Sequence, residues 1–320
     1  MSFILPSCWS GRFGNRMYQY LYAYQYSKIN NIDMVLLSEW EGSKLFKNKP
    51  YKLLDKNIAD EISSSKNKRN DMDPYIDILI KHYPNINQIV PNSNAPYSYL
   101  GSPTAFCSGC FYNEEIFLPM NKKDVLWLFE FSDEVKETES YKYWKSRSGT
   151  YDVAHLRRDD VSDPDFNNKY IQWYSTISLD SYTRAFDKFG YDKNAINIIS
   201  DDHSQKWHED RKPTELLGWS YPEGSKYKEG IIFDWLDDFL KMYFARTIFR
   251  ANSSFSWWAA FLSPSAKVYS PVINDIKIYG KDGIFEELDV DFVEGNSPHW
   301  FYEPGVFFSK TGKREIIINE

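Results

Sequence analysis

The stretch ARTIFRANSSFSWWAAF, residues 245–261, carries the strongest structural signal in the chain. An apolar strand is predicted over residues 247–249, and the polar run 252–254 follows it directly. An aromatic helix is predicted to begin near Ser256. A strand that ends in small polar residues and opens a helix directs backbone N–H groups and hydroxyls toward one point. This arrangement favours an anion site, typically for the phosphates of a nucleotide.

Two other predicted strands end in the same polar way. One covers residues 153–156 and leads into two arginines and two aspartates, and the other covers residues 196–199 and leads into Ser-Asp-Asp at 200–202. Ligands of parallel α/β sheets collect at the carboxyl ends of the strands. Three such ends, carrying Arg, Asp and Ser, therefore predict one site for a nucleoside diphosphate.

Strands and helices alternate through the second half of the chain, which is typical of βαβ units around a parallel sheet. Predicted there are strands near residues 153–156, 196–199, 247–249 and 267–270 and helices near residues 178–190 and 234–246. Predicted near the N-terminus are a strand at residues 3–5, a tight loop at 11–15, a helix at 15–29 and a strand at 34–37. The charged segment 132–150 is predicted to form a helix and linker between two domains. We place the domains at residues 1–148 and 149–320.

Composition excludes several classes of protein. A hydrophobic content of 42% fits a soluble globular protein, and the net charge of −7 argues against a general nucleic-acid binder. No stretch approaches 18 apolar residues, so no membrane span is expected. The N-terminus lacks the basic segment of a secretory signal. Three cysteines provide no disulfide framework. These features predict a soluble cytoplasmic protein with no nucleic-acid partner.

The cysteines and the polar strand ends also have plainer interpretations. Cys107 and Cys110 form a CxxC pair, but Cys8 is the one other cysteine, so a structural zinc site lacks its ligands. The pair lies in an irregular stretch, which favours buried thiols over a redox motif. A solvated arginine pair at 157–158 and a helix cap at 201–202 are the alternatives to ligand contacts.

Four blocks, taken in order, resemble glycosyltransferase family 11, the α-1,2-fucosyltransferases, within the wider fucosyltransferase clan that carries the HxRRxD motif. The blocks are GRFGNRMYQYLYAY at 11–24, HLRRDD at 155–160, SDDHSQKW at 200–207 and ANSSFSWW at 251–258. They span most of the chain. The stretch SGCFYNEEIF at 108–117 is also similar to an aromatic segment of that family.

The resemblance implies an α/β fold of the GT-B type, with two Rossmann-like domains facing across a cleft. It implies an inverting transfer of L-fucose from GDP-β-L-fucose to a hydroxyl of an oligosaccharide or glycoconjugate, with α-1,2 linkage to galactose as the expected product. The N-terminal domain would face the acceptor, and the C-terminal domain would bind the nucleotide sugar. No cofactor or metal is expected, and the Asp-Pro-Asp at 163–165 lies in a predicted loop rather than at a strand end.

The resemblance also implies roles for residues that bind the donor. Arg157 would hold the β-phosphate and stabilise the charge of the leaving diphosphate. Ser253, Ser254 and the backbone N–H groups up to Phe255 would contact the remaining phosphate oxygens, and Asn252 belongs to the same donor site. The other residues implied are His155 and Asp202 at the guanosine and Gly14 and Asn15 at the sugar or acceptor.

The loop after the HxRRxD motif supplies the expected catalytic base. Asp165 is ranked first and Asp163 second, because a glutamate at this distance from the motif histidine is thought to act on the acceptor in the related α-1,6-fucosyltransferases. The alternative is that both are solvated loop carboxylates, since an oxocarbenium-like donor can react with a neutral hydroxyl. Asp160 is expected to brace Arg157 or the loop, and Arg158 to form a structural ion pair.

The sequence departs from the family pattern at three charged positions. Arg12 stands where family 11 usually has Gly, Arg16 replaces Gln and Asp159 replaces Gly. These charges bear on the choice of acceptor and donor sugar. Two alternatives stay open, namely a transferase of the same fold that uses another nucleotide sugar and a glycan-binding protein without catalysis.

Overall fold

The structure is a computed structural model that describes residues 2–4, 12–29, 31, 34–37, 39–64, 78, 81–82, 88–89, 121–158, 176–200, 233, 235–272 and 288–296. The chain divides into two compact units, Met1–Asp133 with Ile316–Glu320, and Glu134–Glu315. Each unit is built on its own sheet of parallel strands, with one antiparallel strand added in the second. The predicted α/β fold class, with two Rossmann-like units as in GT-B proteins, is confirmed by these two sheets.

The first unit carries a four-stranded sheet in the order β3-β2-β1-β4, in which all three strand pairs are parallel. Its described elements are β1 (Ser2–Ile4), α1 (Phe13–Ile29), β2 (Met34–Leu37), α2 (Gly42–Leu45), β3 (Lys52–Leu53), α3 (Lys56–Ser64), β4 (Gln88–Ile89) and α4 (Lys122–Leu128). The strand order reverses beside β1, so the carboxyl end of β1 is the position at which such sheets bind ligands. Helix α1 follows this strand in the chain.

Helix α1 begins earlier than the sequence indicates. Its first turn starts at Phe13, and the carbonyl of Arg12 accepts the backbone N–H of Asn15 at 2.9 Å. Phe13 is buried and packs near the rings of Trp40 and Phe46 at centroid distances of 6.3 and 6.1 Å, which fixes this turn against the core. The prediction of a tight loop over residues 11–15 is therefore wrong for its second half, which is helical.

The second unit carries a five-stranded sheet in the order β6-β5-β7-β8-β9, with β9 antiparallel to β8 and the other pairs parallel. Its elements are α5 (Asp133–Glu137), α6 (Glu139–Ser146), β5 (Asp152–Leu156), α7 (Leu179–Phe189), β6 (Ile196–Ser200), α8 (Leu236–Tyr243), β7 (Thr247–Phe249), α9 (Ser254–Leu262), β8 (Lys267–Pro271) and β9 (Phe292–Glu294). The four strands and two helices predicted for this half of the chain are confirmed, although α8 is shorter than predicted.

Helix α7 shows how the local sequence sets an element. Ser178 caps its N-terminus by accepting the backbone N–H of Ser181 at 3.2 Å, and Gly190 ends it in the left-handed conformation with φ of 75°. Tyr182 and Phe186, one helical turn apart, are fully buried and belong to the core cluster under the sheet. The apolar face of α7 thus packs against β5 and β7.

The segment 288–296 completes the sheet with β9. Phe292 is buried against the ring of Tyr182 at a centroid distance of 5.0 Å. The carboxylate of Asp289 pairs with Arg184 and accepts the Ser181 hydroxyl at 3.0 Å. These contacts, that with Arg184 foremost, lower the pKa of Asp289. The segment is therefore anchored to α7 by side-chain contacts that the local pattern does not encode.

The two units divide at residue 133, whereas the sequence places the boundary after residue 148. Helix α6 lies with the second unit because its buried face packs on α8. Ser140 donates a hydrogen bond to Asp237, and the indole N–H of Trp144 donates to the same carboxylate at 2.9 Å. The segment 132–150, predicted to form a helix and linker, therefore contains a helix that is packed within the second unit.

Asp237 and Lys241 form a buried polar centre on α8. Burial raises the pKa of Asp237 despite its hydrogen bonds to Ser140 and Trp144. Burial lowers the pKa of Lys241 to about 8, against the opposing effect of the Asp238 and Asp237 charges. The charged form of Lys241 is therefore disfavoured in the folded chain.

This shift predicts a pH dependence of stability. The unfavourable burial of charged Lys241 is fully present below about pH 8, and it is relieved as pH rises toward the ordinary lysine pKa of 10.5. Between about pH 8 and pH 10.5, the free energy of unfolding of the wild type should therefore rise relative to that of Lys241→Met, by on the order of 3 kcal/mol. Urea unfolding at several pH values measures it. The exposed Lys145 provides a control variant, Lys145→Met, whose free energy of unfolding should change with pH as that of the wild type does. If the free energy of unfolding of Lys241→Met also followed the wild type at every pH, the assignment would be contradicted.

Candidate functional site

The strand order of the second sheet reverses between β5 and β7, and we call the carboxyl ends of these two strands the crevice. Strand β5 pairs with β7 only as far as Ala154 opposite Phe249, but it pairs with β6 through Leu156 opposite Ser200. The backbone of β5 therefore leaves β7 while it continues along β6. Such a reversal at the carboxyl ends of parallel strands is the ligand position of doubly wound sheets.

Tyr182 bridges the two strands at this point. Its hydroxyl, carried on the buried face of α7, donates to the carbonyl of His155 at 2.7 Å and lies 3.4 Å from the carbonyl of Arg250. His155 of β5 and Arg250, directly after β7, are the first residues beyond the last paired position, Ala154 opposite Phe249. The pattern of α7 predicts that Tyr182 is buried, but it carries no signal for these partners, so sequence reasoning did not find its role.

Helix α9 opens directly beside the crevice, since it begins a few residues after β7. Ser253 is its N-cap, and its Oγ accepts the backbone N–H of Phe255 at 3.3 Å. In this structure the Phe255 N–H is therefore held by the cap. The Ser253 hydroxyl accepts through its oxygen, and its hydrogen can still be donated to an anion.

The first turn of α9 contains no acidic residue. The partial positive charge of the helix N-terminus is therefore not neutralised from within the helix. Helix α7, in contrast, has Asp180 in its first turn. Of these two helix starts in the second unit, that of α9 is thus the better suited to an anion.

Asn252 provides an independent indication of a ligand. Its side chain is only 8% exposed, and its Oδ1 is buried without accepting a hydrogen bond from any residue that the structure describes. A buried amide oxygen that lacks a donor is costly, by about 1–3 kcal/mol. A ligand hydroxyl or N–H group at this position would satisfy it.

The structure brings parts of the two predicted strand ends together. The ring of His155 is buried and lies 5.8 Å from the ring of Phe255, between centroids. Arg157, two residues further along the chain, is partly exposed. This ring contact places His155 of β5 beside the first turn of α9. Asp160, Asp163, Asp165 and Asp202 lie outside the described residues.

Two buried arginines flank the crevice. Arg158 is 1% exposed and donates to the carbonyl of Ile177 at 2.8 Å, which ties together the chain on either side of residues 159–175. Arg250 is fully buried, and its Nε donates to Ser270 Oγ at 3.0 Å. Sequence reasoning passed over Arg250, although a charged residue between an apolar strand and the Asn-Ser-Ser run could have indicated it. Buried guanidinium groups at a strand end add positive potential for an anion.

Gly14 and Asn15 belong to the first unit, in the first turn of α1. On the same turn, Arg16 donates to Glu41 at 2.8 Å, and Glu41 follows the carboxyl end of β2. The two residues implicated in sugar or acceptor binding are therefore held at the carboxyl edge of the first sheet.

Within the described part of the chain, no cluster of three or more His, Cys, Asp or Glu side chains could hold a metal ion. Among the helices described, none combines the length and apolarity needed to cross a membrane.

No family model and no curated protein matches the chain. Among solved structures, it is similar to NodZ alpha-1,6-fucosyltransferase co-crystallized with GDP, with 12% identity, a TM-score of 0.42 and coverage of 84% of this chain and 94% of that chain. It is also similar to NodZ alpha-1,6-fucosyltransferase soaked with GDP-fucose, with 12% identity, a TM-score of 0.43 and coverage of 91% of this chain and 98% of that chain.

Removal of the Tyr182 hydroxyl should destabilise the folded protein at the ends of β5 and β7. Tyr182→Phe leaves the buried His155 carbonyl without its donor, so the free energy of unfolding should fall by about 1–3 kcal/mol. Chemical denaturation of the variant measures the loss. The control is Tyr143→Phe, which removes a hydroxyl that accepts from the exposed Arg147. Equal stabilities of the two variants would show that the bridge does not hold the strand ends.

Proposed function

We propose that the chain is an inverting fucosyltransferase that moves L-fucose from GDP-β-L-fucose to a hydroxyl of an acceptor glycan. The observation that carries this proposal is the crevice between β5 and β7, where the HLRRDD and ANSSFSWW segments meet through His155 and Phe255. The resemblance of both segments to fucosyltransferase motifs supplies the donor, and the expected product is an α-1,2 linkage to galactose of an oligosaccharide or glycoconjugate.

The site suits a diphosphate leaving group. The N-terminus of α9, with the Ser253 hydroxyl and Ser254, offers donors to phosphate oxygens. Arg157 supplies a charged planar fork from the other strand end, and it would bind the β-phosphate on which charge develops during transfer. We propose that these groups replace the metal ion of metal-dependent transferases, so that no cofactor is needed.

The nucleoside would lie against His155 and Asp202, with Asn252 accepting a hydrogen bond from the ligand. Arg158 and Asp160 would support the loop that follows β5. We propose that the protein is cytoplasmic, that its substrates are a GDP-sugar and a glycan, and that it has no nucleic-acid partner.

Acceptor activation is proposed to involve the loop after β5 and the first unit. Asp165, and after it Asp163, would take the proton of the acceptor hydroxyl as the new C1–O bond forms. Gly14 and Asn15, at the start of α1, would contact the sugar or acceptor.

Loss of the Arg157 guanidinium should slow transfer strongly. Arg157→Ala should lower turnover of GDP-fucose about 10²–10³-fold, the scale of losing one preorganised charge partner. Arg157→Lys should recover only part of it, because lysine lacks the bidentate fork. The control is Arg184→Ala, which removes an exposed arginine of α7 paired with Asp289. Near-normal turnover of Arg157→Ala would exclude the proposed role, and GDP binding without turnover in the wild type would favour a glycan-binding protein.

The catalytic base is tested by substitutions that keep shape and remove basicity. Asp165→Asn should lower turnover about 10²-fold or more while the affinity for GDP stays constant, since proton transfer contributes 10²–10⁴-fold. Asp163→Asn should have the smaller effect, and Asp187→Asn, at an exposed position of α7, serves as the control. Steady-state kinetics and GDP titration separate the two quantities. Full turnover in both loop variants would leave this loop without a role in proton transfer.

A further inference from the structure

A group of partly exposed aromatic rings lies beside the N-terminus of α9. We call Phe233, Trp235 and Phe255 the aromatic shelf. The rings of Phe233 and Trp235 are stacked, with centroids 5.2 Å apart and planes inclined by 21°. The ring of Phe255 meets that of Trp235 edge-on at 5.9 Å. The shelf is thus a continuous aromatic surface with residues from before α8 and from the first turn of α9.

The shelf is supported from beneath by the core. Phe239 of α8 is fully buried and contacts the rings of Phe255 and Trp235, at centroid distances of 5.3 and 6.5 Å. The core position is therefore already filled by Phe239, whereas the three shelf rings each keep part of their surface accessible. Such accessible rings, fixed on a packed support, are typical of a surface that stacks on a ligand.

The position of the shelf relates it to the proposed anion site. Phe255 is the second residue of α9, on the same turn as the Ser253 cap, and its ring lies 5.8 Å from that of His155, between centroids. In a nucleoside diphosphate, the ribose joins a charged diphosphate to a flat heteroaromatic base. A cationic helix end next to an aromatic surface matches both parts of such a ligand.

We propose that the aromatic shelf, with Trp235 and Phe255 as its main rings, is the stacking surface for the base of the bound nucleotide. This inference rests on the proposed donor site and adds the residues that recognise the base. A base is favoured over the transferred sugar because it has an extended π-face and N–H donors, and the unsatisfied Oδ1 of Asn252 lies on the same segment as Phe255.

Calorimetric titration with GDP and with inorganic pyrophosphate tests the proposal, because pyrophosphate has the charge but lacks the base. Trp235→Ala and Phe255→Leu should each weaken GDP binding about tenfold, as expected for the loss of one stacking contact, and should leave pyrophosphate binding unchanged. Trp235→Phe should keep GDP affinity within about threefold, since a stacking ring remains. The control is Trp127→Ala, at a tryptophan of α4 that is 45% exposed, which should change neither affinity.

Several outcomes would overturn the proposal. Unchanged GDP affinity in both Trp235→Ala and Phe255→Leu would exclude stacking, while GDP binding by the wild type would leave the proposed donor site standing. Equal weakening of GDP and pyrophosphate would indicate a structural role. If the shelf variants lost affinity for GDP-fucose but not for GDP, the shelf would contact the sugar rather than the base. A wild type that binds neither GDP nor pyrophosphate would overturn both this proposal and the proposed function.

Discussion

The separation of β5 from β7 beyond Ala154 is the constraint on which the site depends. If the two parallel strands stayed paired to their ends, the backbone N–H and C=O groups there would be used in hydrogen bonds between the strands. Here the carbonyl of His155 is instead satisfied by Tyr182, a residue of the helix that packs under the sheet. The strand ends can thus part while the His155 carbonyl keeps a hydrogen-bond donor, and the carboxyl ends of such strands are the ligand position of doubly wound sheets.

The charges around this crevice suit the proposed departure of a diphosphate without a metal ion. The α9 N-terminus contains no acid in its first turn, and the arginines at 157, 158 and 250 surround the ends of β5 and β7. Arg158 and Arg250 are buried and fixed by hydrogen bonds, so their positive charge is preorganised. Preorganised donors stabilise developing charge without the cost of reorientation during the reaction.

Much of the second unit could be predicted from the sequence because its signals are local. Apolar strands followed by polar residues locate β5, β6 and β7, and the Ser178 cap and Gly190 bound α7. The roles of Tyr182 and Trp235 could not be predicted in this way. Their partners are distant in the chain, and a pattern of burial does not specify which carbonyl or ring a side chain will meet.

The same reason accounts for the boundary between the units and for the start of α1. The charged surface of α6 does not show to which unit this helix belongs, whereas its buried side carries Ser140 and Trp144, which donate to Asp237. Phe13, interpreted as a loop residue, becomes helical because it packs against Trp40 and Phe46. In both cases tertiary packing overrides the local pattern.

The most direct test of the account is a crystal structure of the protein with GDP. The account predicts that the diphosphate lies in the crevice between β5 and β7, with its oxygens at the N-terminus of α9 and within hydrogen-bond distance of Arg157. A diphosphate bound elsewhere, or one that contacts neither the α9 N-terminus nor Arg157, would contradict it.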